Sequence, residues 1–288
     1  MDYNYERVVL NIRHELKKYV IDNGLKSLVI GVSGGVDSAV CSALAQPVCD
    51  ELNIPLIGRS ITIESNKQDE IDRAQKVGDL FCMDFKEVNL TEDYDIIKSS
   101  FNSHEGTIEN DTTADKIRLG NIKARLRSIY LYNIAQINKG LVLSTDNLSE
   151  SLLGFFTIHG DHFDFGMLQN LFKTEVYDLS RYLADRELTD TKAYAVMECV
   201  DAIPTDGLGI TESDLDQIGA ASYAEVDNIL QSYLLIDAYM GTDDMTEELR
   251  VEHKKLLTTP VVKRHINSQF KRNWPINIPR RVAMKGVE

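Results

Sequence analysis

The stretch Leu25-Lys-Ser-Leu-Val-Ile-Gly-Val-Ser-Gly-Gly-Val-Asp-Ser38 decides the fold. Residues 25–31 are a short apolar run that ends in glycine, which predicts a buried strand of a parallel sheet. A helix is expected to begin at or just after Asp37-Ser38. The stretch therefore predicts a strand, a glycine-rich loop and a helix in direct succession.

This loop, residues 31–38, is called the phosphate loop below because its chemistry suits an anion. Its adjacent glycines let the backbone approach a ligand closely, and the N-terminus of the next helix adds a positive dipole. Ser33 and Ser38 supply hydroxyl donors, and Asp37 can hold the magnesium ion that accompanies a pyrophosphate. The spacing fits neither a Walker loop nor the G-x-G-x-x-G of a dinucleotide site. A capped turn without a ligand is the alternative, which the position directly between strand and helix disfavours.

Strand and helix patterns alternate along the first half of the chain. Further strands are expected at 53–61, 85–90 and 140–144, and helices at 67–82 and 116–138. After about residue 175 the pattern is mostly helical. These elements predict an α/β fold: a doubly wound, Rossmann-like parallel sheet flanked by helices, with a helical C-terminal part. Ligands of such sheets bind beyond the carboxyl ends of the strands.

Three local features qualify this pattern. Apolar residues at helical spacing predict an opening helix that Gly24 ends. Pro47 should kink the second helix or split it in two. The polar stretch from Phe101 to Asp115 has little periodicity and is expected to be a loop or a mobile cover.

Composition limits the classes of function. The chain has 288 residues and a net charge of −14, which disfavours a nucleic-acid enzyme. No apolar run is long enough for a membrane span, so a cytoplasmic protein is expected. The four cysteines show no metal-ligand spacing and are expected to be buried, reduced thiols. They are Cys41, Cys49, Cys82 and Cys199.

The phosphate loop resembles that of the ATP-pyrophosphatase (PP-loop) superfamily, whose loop grips the pyrophosphate released when ATP adenylates a substrate. The loop alone leaves GMP, asparagine, argininosuccinate and NAD synthetases and tRNA-modifying ligases open. The resemblance implies that the whole loop binds ATP. Its residues are Gly31, Val32, Ser33, Gly34, Gly35, Val36, Asp37 and Ser38.

Two further stretches resemble ammonia-dependent NAD synthetases. Gly120-Asn-Ile-Lys-Ala-Arg-Leu-Arg127 is similar to a family helix whose arginine, here Arg125, reaches the dinucleotide at a dimer interface. Lys123 and Arg127 should share one helix face, for which a solvated basic face is the alternative. Ser144-Thr-Asp-Asn-Leu-Ser-Glu150 is similar to the block in which a glutamate joins Asp37 on magnesium and Thr145 contacts ATP.

The resemblance continues through residues 154–164. Phe155 matches an aromatic position beside the nicotinate ring, although core packing alone would also explain a Phe-Phe pair. Asp161 and Asp164 match an acidic pair near the substrate, and Asp161 is a candidate acceptor for a proton of ammonium.

Further matches lie outside this block. Lys173 matches a lysine on ATP phosphate and would stabilise the departing pyrophosphate. Thr205 and Arg59 match ATP contacts. His253 and Lys254 match a pair that reaches deamido-NAD.

The sequence also departs from the family pattern. The usual glycine before Thr145 is Ser144, a family lysine is replaced by Ile158, and the turn at 160–164 is one residue shorter. Acids of a later segment, among them Asp214 and Asp227, are expected on helix surfaces and in caps.

Together the resemblance implies ATP- and Mg²⁺-dependent amidation of deamido-NAD by ammonia in a homodimer, through an acyl-adenylate. It implies one synthetase domain over residues 1–288 and no glutaminase domain. Another PP-loop amidating ligase, such as a GMP synthetase, and an inactive nucleotide-binding homologue are the alternatives.

Overall fold

A computed structural model of the chain describes residues 4–64, 66–106, 110–205, 210–211 and 213–272. Within them, five parallel strands form one sheet in the order β3-β2-β1-β4-β5. The strands are β1 (Ser27–Gly31), β2 (Leu56–Thr62), β3 (Asp84–Asn89), β4 (Gly140–Ser144) and β5 (Phe165–Gly166). The order reverses between β1 and β4, and in such sheets the ligand crevice opens there, beyond the carboxyl ends of the strands. The doubly wound parallel sheet expected from the sequence is confirmed.

Five helices accompany the first four strands. They are α1 (Tyr5–Asp22), α2 (Val36–Leu52), α3 (Gln68–Phe81), α4 (Thr91–Glu105) and α5 (Thr113–Ile137). Helix α2 remains one helix through Pro47. Proline leaves the carbonyl four residues earlier without its helical partner. Here Arg13 Nη2 donates to that Ala43 carbonyl at 3.5 Å, so α1 supplies the missing hydrogen bond.

The second half of the described chain is almost entirely helical, as expected. Its helices are α6 (Leu148–Leu153), α7 (Lys173–Arg186), α8 (Asp190–Val200), α9 (Asp214–Ile218), α10 (Tyr223–Asp237), α11 (Glu247–Leu256), α12 (Pro260–Asn267) and α13 (Gln269–Arg272). Strand β5 has only two residues, too few for its period to appear in the sequence.

The two faces of the sheet carry separate cores, because side chains alternate along each strand. Leu28 and Ile30 pack in one cluster with α1, α2, α7 and α8. Val29 and Val142 pack in the other with α4 and α5. Both faces are covered at the centre of the sheet, so β1 and β4 are nearly continuous apolar runs, whereas the edge strand β3 is polar and partly exposed.

The loop expected at 101–115 is wrong over most of its length. Residues 101–105 complete α4, and 113–115 begin α5, while 107–109 lie outside the described residues. Gly106 ends α4 in the left-handed region at φ 62°, and the Thr112 side chain caps α5 by accepting from Asp115 N. These caps stabilise helix ends that the weak apolar period of the stretch did not predict.

Among the described residues, no helix is both long enough and apolar enough to cross a membrane.

Candidate active site

The phosphate loop joins the end of β1 to the start of α2 and is held open by its own hydroxyl groups. Ser38 Oγ accepts from Ser33 N at 3.2 Å and donates to Gly35 O at 3.0 Å. Ser33 Oγ accepts from Gly35 N at 3.2 Å and lies 3.1 Å from Ser38 Oγ. These bonds fix the loop before any ligand arrives.

Two features of the structure require glycine at position 34. Its φ is +83°, and a Cβ atom built on it would lie 2.2 Å from the carbonyl oxygen of Glu70 in α3. On the other side, Arg73 Nε donates to Gly34 O at 2.9 Å. Helix α3 therefore packs directly on the loop, and only glycine permits this approach.

Three charged side chains converge beside the loop, at the first turn of α2. Lys173 Nζ lies 2.5 Å from Asp37 Oδ2 and 2.8 Å from Glu150 Oε1. Asp37 lies on α2, Glu150 on α6, and Lys173 is the first residue of α7. The family resemblance predicted Asp37 and Glu150 as a magnesium pair and Lys173 as a phosphate contact, and the fold brings Lys173 to Asp37 across 136 residues of chain.

Burial and mutual charge set the ionisation of this cluster. Burial alone would lower the pKa of Lys173, but Asp37 and Glu150 reverse this and raise it well above its usual value. Burial, reinforced by the charge of Asp37, raises the pKa of Glu150 to about 8. The contact geometry is that of an ammonium ion bridging two carboxylates, so we take Lys173 as charged. Its Nζ also lies 5.6 Å from the centre of the Tyr223 ring.

Asn147 aligns the two carboxylates. Its Nδ2 donates to Asp37 Oδ1 at 2.9 Å, and its Oδ1 caps α6 by accepting from Glu150 N at 3.0 Å. Asn147 is fully buried and lies three residues after the end of β4. The sequence analysis missed it, although an Asn three residues before a Glu is a recognisable capping box.

Asp227 fixes the other side of the cluster from α10. Its Oδ1 accepts from Ser149 Oγ at 2.5 Å, and its Oδ2 accepts from Thr174 N at 2.9 Å. Ser149 Oγ in turn accepts from Lys173 N at 2.8 Å. Asp227 was expected as a surface or capping acid: it does cap α7, but it is 1% exposed, so its surface placement is wrong. Burial raises the pKa of Asp227. Asp214 is likewise buried, at 5% exposure.

The donor set at Asp37 and Glu150 fits magnesium. Both carboxylates already face one point, where the Lys173 ammonium lies, and oxygen ligands are those that Mg²⁺ prefers. Among the described residues, no group of three or more His, Cys, Asp or Glu side chains could hold a metal by itself. A hard ion such as Mg²⁺ usually binds through one or two carboxylates and completes its shell with substrate phosphates and water.

The segment after α6 contains Phe155, the residue predicted to lie beside the nicotinate ring. The guanidinium of Arg264 lies 3.8 Å from the centre of the Phe155 ring, and Arg264 Nε donates to Leu153 O at 3.1 Å. Lys271 Nζ donates to the carbonyls of Gly154 and Phe156 at 2.7 and 2.5 Å. Helices α12 and α13 thus hold this segment through its backbone, which gives the basic C-terminal region a structural role up to residue 272.

The predicted dinucleotide helix is α5. Arg125 is exposed, and its Nε and Nη2 donate to Ile158 O at 3.3 and 3.2 Å. Arg127 is directed inward and donates to Ile61 O at 3.0 Å, while Lys123 pairs with Glu64. The cations of α5 therefore do not form a plain solvated face.

Asp161 and Asp164 both bond to backbone. Asp161 Oδ2 accepts from Thr157 N at 2.5 Å, and burial raises the pKa of this carboxyl. Asp164 Oδ2 accepts from Val142 N at 3.0 Å, and its Oδ1 accepts from Tyr132 Oη at 3.1 Å. Asp164 therefore ties the turn to β4, and the substrate roles of both acids stay predictions.

Three residues predicted to contact ATP have different surroundings in the structure. Thr145 follows β4 directly and is half-buried. Arg59 Nη2 is paired with Asp84 Oδ2 at 2.8 Å, at the opposite end of β3 from the loop. Thr205 is half-buried and directly precedes residues 206–209, which lie outside the described part. The structure does not bring Arg59 to the cluster, and its ATP contact stays a prediction.

His253 and Lys254 lie on α11, on the far side of α10. His253 Nε2 lies 3.1 Å from Asp237 Oδ1, and its ring stacks on Tyr233 at 5.5 Å between centres. Lys254 is exposed. Their described contacts are with α10 rather than with the cluster, so their role in dinucleotide binding stays a prediction.

Comparison with known proteins fits this geometry. The sequence matches the NAD synthase family over residues 8–275. It is 32% identical to the NH(3)-dependent NAD(+) synthetase of Pyrococcus furiosus, over 95% of this chain and 94% of that protein.

Solved structures share the fold. The NMN synthetase of Francisella tularensis superposes with a TM-score of 0.74 at 24% identity, covering 96% of this chain and 99% of that one. An NH3-dependent NAD synthetase from Campylobacter jejuni gives 0.68 at 22% identity, covering 96% of this chain and all of the other (100%). The family model matches most of the chain, and the structure assembles the phosphate loop and the charged cluster. The chain belongs to the NAD synthase family.

Proposed function

We propose that this chain is a ligase that amidates the nicotinate carboxylate of deamido-NAD with ammonia, consuming ATP and releasing AMP and pyrophosphate. The family match and the NH(3)-dependent relatives support this reaction. The observation that carries it is the convergence of Asp37, Glu150 and Lys173 beside the phosphate loop. That arrangement suits cleavage of ATP between its α and β phosphates.

The reaction proceeds in two halves. The backbone N–H groups of the phosphate loop, with Ser33 and Ser38, bind the β and γ phosphates, while the nicotinate carboxylate attacks the α-phosphorus. Magnesium held by Asp37 and Glu150 supplies the positive charge that neutralises the phosphates. Ammonia then attacks the acyl carbon, and AMP leaves. The protein contributes position and charge, so it needs no covalent nucleophile.

Lys173 is proposed to stabilise the leaving pyrophosphate. In the structure its ammonium bridges Asp37 and Glu150, the two residues that would hold magnesium. This positive charge beside the phosphate loop would offset the negative charge that develops on the leaving group.

The remaining contacts are assigned with the family resemblance as their support. Phe155 is proposed beside the nicotinate ring, Thr145, Thr205 and Arg59 on ATP, and Asp161 near the reacting carboxyl. The other proposed contacts with deamido-NAD are those of Arg125, Asp164, His253 and Lys254.

We also propose a homodimer. Four apolar side chains on α5 are well exposed: Ile117 at 44%, Ile129 at 65%, Tyr132 at 39% and Ile137 at 70%. Arg125 lies on the same helix, so a second copy packed on α5 would enclose this arginine with the dinucleotide. Exposed apolar patches of this kind are typical of interaction surfaces.

A single synthetase domain that uses ammonia, free or delivered by a partner protein, in the cytoplasm completes the proposal. The near-complete mutual coverage with an NH(3)-dependent relative supports this organisation.

The decisive experiment supplies the purified protein with ATP, magnesium, ammonium and deamido-NAD, and measures NAD through alcohol dehydrogenase. Parallel reactions contain nicotinate mononucleotide or xanthosine monophosphate in place of deamido-NAD. We expect NAD with deamido-NAD, and AMP in equal amount. Turnover with xanthosine monophosphate alone would indicate a GMP synthetase, and preference for the mononucleotide would limit the substrate to half of the dinucleotide. No AMP with any acceptor would indicate an inactive homologue.

Glu150→Gln is the matched variant for this assay. It keeps the side chain's size but removes one carboxylate from the magnesium site, so turnover should fall by about a hundredfold or more. Far-ultraviolet circular dichroism should be unchanged. Full activity of this variant would remove Glu150 from the site.

A further inference from the structure

His162 and Asp146 form a partly buried imidazole–carboxylate pair, and the charge of Asp146 acts on Glu150 of the charged cluster. His162 Nδ1 lies 2.6 Å from Asp146 Oδ2, and Asp146 is 8% exposed. An ionised carboxylate can only accept a hydrogen bond, so Nδ1 carries the proton. In the neutral ring Nε2 then bears a lone pair. No residue in the described part of the chain bonds to Nε2, and 21% of the side chain is exposed.

The orientation of the ring is fixed by two further contacts. His162 stacks on Phe156, with 3.9 Å between ring centres and 24° between the planes. Asp146 Oδ2 also accepts from Ser144 Oγ at 2.8 Å, so a second donor holds the same carboxylate oxygen. Such support of an imidazole by a carboxylate is how a histidine is set up to take a proton from a substrate.

Two departures from the family pattern meet in this network. Ser144 replaces the usual glycine before Thr145, and His162 lies in the shortened turn at 160–164. They are 18 residues apart, yet both bond to the same oxygen atom of Asp146. The two changes therefore act on one feature of the site rather than on two unrelated positions.

Contacts of the pair connect it to both parts of the proposed active site. Asp146 directly precedes Asn147, whose side chain donates to Asp37 of the charged cluster. Phe156, on which His162 stacks, directly follows Phe155, the residue proposed beside the nicotinate ring. The imidazole is therefore linked through Asp146 to the segment that holds the charged cluster and through Phe156 to the segment proposed to hold the nicotinate.

We propose that His162, positioned by Asp146, accepts the proton that ammonium must lose before it attacks the acyl-adenylate; this rests on the function proposed above. Ammonium has no lone pair, so one N–H bond must first break, with its proton passing to Nε2. The freed lone pair forms the C–N bond, and the C–O bond to AMP breaks, its electron pair leaving with AMP. The second proton leaves the new C–N nitrogen to solvent. Asp146 stabilises the imidazolium through the ion pair, and the Phe156 ring does so through its π face.

Asp161 is the competing acceptor. Its Oδ2 is already bonded to Thr157 N at 2.5 Å, so this oxygen serves the turn. His162 offers an unbonded lone pair instead. The experiment therefore treats Asp161→Asn as a comparison with His162→Gln.

The test separates ammonia attack from the step before it. His162→Gln retains a group that can donate to Asp146 but that cannot take a proton. Three rates are measured: deamido-NAD-dependent exchange of pyrophosphate into ATP, NAD formation from ammonium, and hydroxamate formation from hydroxylamine. Hydroxylamine is largely unprotonated at neutral pH, so it does not need a proton acceptor before attack.

We expect His162→Gln to lose about a hundredfold or more of its ammonium rate, the range of general-base catalysis, and to keep the exchange and hydroxylamine rates within about twofold. His14→Gln, an exposed histidine on α1, should leave all three rates unchanged. In His162→Ala, added imidazole should restore part of the ammonium rate.

Several outcomes would overturn the proposal. The first is an ammonium-dependent rate of His162→Gln equal to that of the unaltered protein, and the second is an equal loss of rate with ammonium and with hydroxylamine. The third is a loss of pyrophosphate exchange in both His162 variants. The fourth is a selective loss of the ammonium-dependent rate in Asp161→Asn alone. Absence of exchange in the unaltered enzyme would refute the proposed function instead, which keeps the two failures distinguishable.

Discussion

Lys173 lies between Asp37 and Glu150 with 3% of its side chain exposed, so its charge offsets that of both carboxylates. Removing one partner of a buried ion pair leaves the others uncompensated, which costs about 3–5 kcal/mol. We therefore expect Lys173→Met to lower the free energy of unfolding by this amount in the absence of magnesium. Equilibrium unfolding in urea measures it.

Magnesium should reverse much of that loss. In Lys173→Met the ion can take the place of the ammonium without competition, so it should stabilise this variant more than the unaltered protein. Lys76→Met is the control, because Lys76 pairs with Glu198 with 49% of its side chain exposed; exposed ion pairs of this kind contribute little to stability. Equal stabilisation by magnesium in all three proteins would exclude Asp37 and Glu150 as its ligands.

Two glycines with similar backbone conformations provide a second test. Gly34 has φ +83° and lies against α3, whereas Gly24 has φ +63° and no atom within 4 Å of the position that a Cβ would take. Gly24→Ala should cost only the left-handed conformation, about 1–2 kcal/mol. Gly34→Ala must in addition displace α3 from the phosphate loop, so it should be markedly less stable and fail to bind ATP.

Calorimetric unfolding and titration with ATP compare these two variants. Equal losses of stability would mean that α3 moves away at little cost. The Gly34 variant binding ATP normally would mean that the loop does not hold the phosphates.

At the scale of elements, the N-terminus of α7 is fixed from outside by α10. Asp227 binds Ser149 Oγ and Thr174 N, one on each side of the charged cluster. In Asp227→Asn only one accepting oxygen remains, so the amide NH2 group would face either Ser149 Oγ or Thr174 N. That donor would be left buried and unpaired, at a cost of about 1–3 kcal/mol. Lys173 and Glu150 would then be less well aligned.

We expect Asp227→Asn to lower kcat more than it raises the KM for deamido-NAD, because the residue positions the cluster and is not proposed to touch the substrate. Asp216→Asn is the control: Asp216 is exposed, and its carboxylate accepts from the cap residue Ser213. A rise in KM with unchanged kcat would contradict the positioning role.

Strong local patterns predicted elements well, and short or capped ones poorly. Residues 25–31 and 140–144 were predicted as strands because each is a largely apolar run, and the structure has strands at 27–31 and 140–144. Strand β5, with two residues, and the end of α4, which Gly106 terminates, carry little period of their own. Pairing with β4, more than 20 residues earlier in the chain, stabilises β5, and the neighbouring glycine cap ends α4.

At the scale of the molecule, α5 presents an apolar surface that one chain leaves exposed. Ile129 is 65% exposed, so Ile129→Glu should fold normally as a single chain. In a dimer packed on α5 the new charge would be buried without a partner, which is costly. We expect sedimentation to show a dimer for the unaltered protein and a monomer for the variant. Ile96→Glu, on α4 with the residue 69% exposed, tests whether the neighbouring helix takes part. A monomer in the unaltered, fully active protein would overturn the dimer.

The sequence by itself determined the phosphate loop with Asp37, because a strand, a glycine-rich loop and a helix start follow one another within a few residues, and it determined the parallel sheet through the alternation of strand and helix patterns. Its resemblance to a known family identified Glu150 and Lys173. Only the tertiary structure decided how they are combined. It placed Lys173 between the two carboxylates, directed Arg59 toward Asp84, and brought Ser144 and His162 to one oxygen of Asp146. These side-chain contacts depend on how the helices pack against the sheet, and a local pattern of residue types does not predict that packing.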